Sequence, residues 1–144
     1  MKLIKTCIVI LGAAIVFAAS GNTQEFRTDS VPGAVVYFIQ PLDGQTVKNP
    51  ITVKFGLKDM GIAPAGVEKA GTGHHHLIID APLPPMNENI INDSNHLHFG
   101  GGQTEATITL APGKHTLQLL LADQNHLPHN PPVFSKSITI IVSD

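Results

Sequence analysis

Seven of the eight histidines fall in three short stretches: "TGHHHLIID" (Thr72 to Asp80), "HLHFGGGQTE" (His96 to Glu105) and "DQNHLPHNPP" (Asp123 to Pro132). A neutral imidazole offers a nitrogen lone pair to a transition metal, and imidazoles distant in sequence build a metal site when a rigid scaffold gathers them. In an extended segment residues i and i+2 point the same way, roughly 6 to 7 Å apart. His74 with His76, and His96 with His98, can therefore each present two rings to one ion. His75 then points to the opposite face beside Leu77 and Ile79, which places it last among the candidates. His126 and His129 sit in a loop stiffened by Pro128, Pro131 and Pro132, and stiffness lowers the entropy lost on closing around an ion. The candidate metal ligands are His74, His75, His76, His96, His98, His126 and His129.

Each motif also has a plainer reading: a polar strand end for the triple histidine, a ring bonded to a backbone carbonyl for "HLH", a capped turn for "HLPH". Their convergence favours a metal. Cys7 is the only cysteine and it lies near the amino terminus, and Met60 and Met86 are the soft donors that remain, so imidazole dominates. That donor set suits copper first and zinc second and disfavours calcium or magnesium. Seven candidates exceed the four ligands of a closed site, so either some of them, with Asp80, Glu105 and Asp123, support it from behind, or two ions are held. Because a ligand ring must be neutral, affinity is expected to fall as pH drops through about 6.5. His115, just after "APGK", is expected to be structural, bonding backbone at the far end of its strand.

The elements that must position these rings are strands. Ile51, Val53, Phe55 and Leu57 alternate with Thr52, Lys54, Gly56 and Lys58, the period-2 pattern of a half-buried strand. Similar signals mark Ala34–Ile39, His75–Asp80, Ala106–Leu110, Thr116–Ala122 and Ser137–Val142. The stretch "QPLDGQTVKNP" reads as turns, and Ala81–Glu105 holds either a short strand or none. No segment past the amino terminus shows helical periodicity, and eleven prolines and thirteen glycines punctuate the chain. The fold class expected is all-β, a two-sheet sandwich of immunoglobulin-like topology without the Trp and paired cysteines of true members. In that fold the three histidine stretches occupy loops at one pole.

The first residues, "MKLIKTCIVILGAAIVFAAS", carry Lys2 and Lys5, an uncharged run and small residues before a polar turn. They read as a signal peptide over 1–20, cleaved after Ser20, followed by a flexible lead-in over 21–33 and the sandwich domain over 34–144. The uncharged run is shorter than the roughly 18 to 20 residues of a spanning helix, so no stable membrane anchor is expected. Without Lys2 and Lys5 the nine basic residues become 7 against 11 acidic, a net of −4 that disfavours nucleic acid. A periplasmic or secreted location follows.

The stretch from Val36 to Val142 resembles domain-of-unknown-function family 4399 of exported bacterial domains. The pieces that carry the likeness are "VYFIQPLDGQTV", "GIAPAG", "TGHHHLIID", "HLHFGGGQTE", "PGKHTLQLLLAD" and "HLPHNPPV". The resemblance implies an exported β domain and no established activity. Enzyme signatures such as HExxH, GxSxG and a phosphate-cradling glycine loop are absent. The sequence therefore points to a metal-binding protein for storage, delivery or buffering, with an enzyme the less favoured reading. The alternatives are an envelope interaction module in which the histidines are structural, with an envelope protein as partner, and a copper-dependent redox enzyme.

Overall fold

The structure, a computed structural model, describes residues 27–144; the expected signal segment and residues 21–26 lie outside the described residues. Among the described residues there are nine strands and no helix. They are β1 (Val35–Gln40), β2 (Thr46–Lys48), β3 (Ile51–Lys58), β4 (Gly61–Ile62), β5 (Thr72–Ile79), β6 (His96–His98), β7 (Glu105–Ile108), β8 (Gly113–Ala122) and β9 (Ile138–Ser143). The strands form two sheets, one of three strands in the order β1-β3-β7, the other of six, β2-β9-β8-β5-β4 with β6 also paired to β5.

Alternation decides what each strand gives to the core. Ile51, Val53 and Phe55 of the smaller sheet meet Leu77, Ile79, Leu117, Leu119 and Leu121 of the larger one, with Val36, Ile108, Ile140 and Val142 completing the cluster. Burying one such side chain contributes roughly 1.5 to 3 kcal/mol, so this layer holds the sheets together without a disulfide. The larger sheet is covered on its other face too. Ile90, with Ala81, Leu83 and Met86, packs there on Ile78, Leu120 and Ala122. The segment 81–95, the least legible part of the sequence, is that cover. All eight residues of β5 are consequently buried. A strand buried on both faces shows no wet and dry alternation, and β5 shows none.

Two short strands lie where the sequence read turns or left a strand open. β2 pairs parallel to β9 from within the proline-flanked "QPLDGQTVKNP", and β6 pairs antiparallel to β5 with His98 opposite His76. Both are three residues long, too short for a periodicity signal, and pairing with a neighbour alone makes them strands. Residues of the expected lead-in are hydrogen-bonded as well: Thr28 binds Asp123 through N–H and Oγ1, and Arg27 Nε donates to the Pro128 carbonyl at 2.8 Å.

His115 sits where the sequence placed it, away from the other rings. Its Nδ1 lies 2.6 Å from Asp80 Oδ2 and its Nε2 lies 2.8 Å from the Ala111 carbonyl. Both partners only accept, so both nitrogens donate together only in the imidazolium form. The Asp80 hydrogen bond, helped by the Ala111 carbonyl and the carboxylate charge, raises the His115 pKa above 6.5 against a smaller opposing effect of burial. A raised folded pKa stabilises fully below the unfolded value and loses that contribution as pH rises through the folded one. Urea midpoints measured between about pH 6 and pH 9 should therefore fall with pH more steeply in the native protein than in His115→Asn. Parallel slopes would remove His115 from that role.

Candidate metal centre

Strand β5 sends alternate residues to opposite sides, and this divides the triple histidine. His74 and His76 leave the sheet on its outer face; His75 enters the core between the sheets, with its ring 5.0 Å from that of Phe55. Short β6 lies beside β5 in a register that sets His98 directly across from His76. The two rings stack with centroids 5.0 Å apart, and the His74 ring lies 4.9 Å from His76 and 5.0 Å from His98. One nitrogen from each of the three falls within 4.8 Å of the other two. Nitrogens bound to one ion at about 2.1 Å in a three- or four-coordinate site lie about 3.4 to 3.6 Å apart, so side-chain shifts of up to about an ångström close the set.

A fourth ring comes from the loop between β8 and β9. His126 stands 4.7 Å from His98 and 5.1 Å from His74, centroid to centroid, and 6.3 Å from His76. Its backbone is left-handed, with φ 66°, a conformation that non-glycine residues adopt only when neighbours hold it. Asp123 holds it here. This fully buried carboxylate accepts from the backbone N–H groups of Asn125 and Leu127 with one oxygen and from Thr28 with the other. The His126 N–H donates to the Asp123 carbonyl, and the His126 carbonyl accepts from Ile90 N–H.

Inside the group, buried ring nitrogens lack hydrogen bonds. His74 and His76 are fully buried, yet none of their four ring nitrogens has a partner, and the buried Nε2 of His98 has none either. An unsatisfied buried polar group costs roughly 1 to 3 kcal/mol, and orphaned groups gathered at one point are what a metal would satisfy. Burial first, then the adjacent His98 and His126 rings, lowers His74 to about 4. Burial, followed by His74, His98 and His126, lowers His76 to about 2. Burial and then His126 lower His98 as well. All three shifts favour the neutral donor form, and for His74 and His76 proton competition moves well under the 6.5 expected for exposed imidazoles.

The other candidate ligands stand apart from this group. His75 is on the opposite side of β5, as its place beside Leu77 and Ile79 implied. His96 shares the outer face but its Nδ1 lies 2.9 Å from Asp93 Oδ1, which also accepts from the His96 backbone N–H. The buried His129 ring lies against backbone, with Nε2 3.1 Å from the Thr72 carbonyl and Nδ1 3.5 Å from that of Leu121. Room for that ring exists because residue 73 is glycine: a Cβ there would come within 2.7 Å of His129 Cε1. The histidines thus meet on a sheet face under a loop, in place of the expected pole of loops. Two of the four come from one strand and a third from its hydrogen-bonded neighbour. Of the expected supporting carboxylates, Asp80 serves His115, Glu105 faces Lys54 at 4.0 Å on the surface, and Asp123 alone belongs to the site, through the His126 loop.

One positioning residue was not singled out. A Cβ on Gly100 would fall 2.3 Å from His98 Cε1 and 2.4 Å from Nε2, so the ring lies over bare backbone. The run "FGGG" is the signal that marks this close approach. Gly100→Ala should push the His98 ring out of the group and weaken metal binding by about tenfold or more, comparable with the loss of a supporting contact to a ligand. Isothermal titration checks this, and unchanged affinity would free Gly100 of the role.

No curated protein and no solved structure matches the chain. A family model does, over residues 53–143, a span that takes in β3 to β9 and all four clustered histidines. Its description is "Domain of unknown function (DUF4399)", and the chain belongs to that family.

Proposed function

We propose that this is an exported metal-binding protein of the periplasm or extracellular space, which holds copper first and zinc second for storage, delivery or buffering. His74, His76 and His98 are the ligands offered by the strands, and His126 is the fourth. The observation that carries this reading is the set of buried ring nitrogens of His74, His76 and His98 that face one another without hydrogen-bond partners. Support for export comes from the amino-terminal sequence, with its two lysines, uncharged run and small residues before Gly21. The immunoglobulin-like reading of the fold is supported by the strand orders β1-β3-β7 and β9-β8-β5 on opposite sides of one core.

The test is metal analysis of the purified, tag-free domain, then titration of the stripped protein with copper and zinc salts. About one ion per chain, bound more tightly than about micromolar, is the expected result. Weaker binding of every ion would overturn the reading and favour histidines that are only structural.

A further inference from the structure

We infer that the four-histidine group selects monovalent copper over divalent ions, a refinement that rests on the metal-binding reading above. The reason is charge. All four donors are imidazoles, ligands that bring no negative charge, and the charge of an ion placed among them must be borne by the protein. The desolvation cost of an ion grows with the square of its charge, so a divalent ion loses about four times as much as a monovalent ion of like size. Divalent sites in proteins offset that loss with thiolate or carboxylate ligands, or with a bound water that ionises in an open position. Among the described residues, no thiolate or carboxylate stands in this group.

The nearest carboxylate whose charge reaches His74 is Asp123. Its two oxygens already accept four hydrogen bonds, from Asn125 and Leu127 N–H, Thr28 N–H and Thr28 Oγ1. Those bonds hold the carboxylate in the loop and out of the ligand set, so it acts on His74 through its charge and not as a ligand. The surroundings are apolar: Leu120 and Ala122 lie across from His76 and His74 in the β5–β8 register, and Ile78 and Ile90 pack against them. His74 and His76 are fully buried, and His126 brings a fourth imidazole beside His74 and His98. Copper is the ion in the set favoured by imidazole that is stable in a monovalent form, and its filled shell tolerates low coordination numbers.

The experiment uses the purified protein under anaerobic conditions. Affinity for Cu(I) is measured with ascorbate present by competition against a cuprous chelator, and affinities for Cu(II) and Zn(II) by competition without reductant. Cu(I) should bind about 100-fold more tightly than Cu(II), which places the bound couple about 120 mV above that of aqueous copper by voltammetry. Zn(II) should bind more weakly than either form of copper. The variant His126→Asp adds an anionic donor and should shrink or reverse the preference. Tighter binding of Cu(II) or Zn(II) by the native protein would overturn this inference while leaving the metal-binding reading intact. An unchanged Cu(I) to Cu(II) ratio in His126→Asp would overturn the charge argument. Failure of every ion to bind would remove both.

Discussion

Replacing His76 by Ala should lower metal affinity by more than about 100-fold, since losing a contact that merely supports a ligand already costs about 10- to 100-fold. His76 is a fully buried member of the group's strand-borne trio, with neither ring nitrogen partnered. It stacks on His98 across the β5–β6 pair and lies 4.9 Å from His74 along its own strand. The matched controls are the histidines that sequence spacing placed beside these: His96→Ala and His129→Ala. His96 is occupied with Asp93 and His129 with the Thr72 carbonyl, so the affinities of those variants should stay within a few-fold of the native value. His129→Ala should instead lower the urea midpoint, because it leaves a cavity and removes backbone contacts at the end of β5; large-to-small changes in cores cost about 2 to 5 kcal/mol. Titration calorimetry and urea melts of the three variants separate these outcomes. Full metal binding by His76→Ala would end the proposal for this face of the sheet.

Acid should destabilise the metal-free protein well before its carboxylates titrate. Burial lowers His75 to about 4 against 6.5 in the unfolded chain, and His74 and His76 are lowered too. Between about pH 6.5 and pH 4 the unfolded state then binds protons that the folded state refuses, so stability rises with pH across that window and falls on acidification. His75, 1% exposed with neither ring nitrogen partnered, accounts for on the order of 3 kcal/mol at the acid end, a large share of the roughly 5 to 15 kcal/mol that holds a domain together. Urea midpoints of the stripped protein should therefore drop steeply between about pH 6.5 and pH 5. In His75→Leu the slope should be shallower and the midpoint at pH 7 no lower, since an apolar side chain beside Phe55 leaves no buried nitrogen unsatisfied. Its metal affinity should equal that of the native protein. A flat profile in the native protein, or lost metal binding in His75→Leu, would contradict this placement of the ring.

Chemistry and local conformation were readable in the residues themselves. The alternation from Ile51 to Leu57 specified a half-buried strand, the i, i+2 spacing set His74 and His76 on one side with His75 on the other, and the absence of helical periodicity excluded helices. These depend on neighbours along the chain, so one sequence suffices. Partners across strands are another matter. That His98 and not His96 joins the group depends on the β5–β6 register and on Asp93 holding the His96 ring. That His126 joins while His129 turns into backbone depends on a left-handed residue held by a buried Asp123 and on the space left by Gly73. The outer-face location of the group depends on segment 81–95, whose apolar residues show no period because they cover a sheet without forming an element. Ring types and strand faces were thus set by local sequence, whereas which rings meet was decided by strand register and by the packing of loops on the sheet, which exist only once the chain has folded.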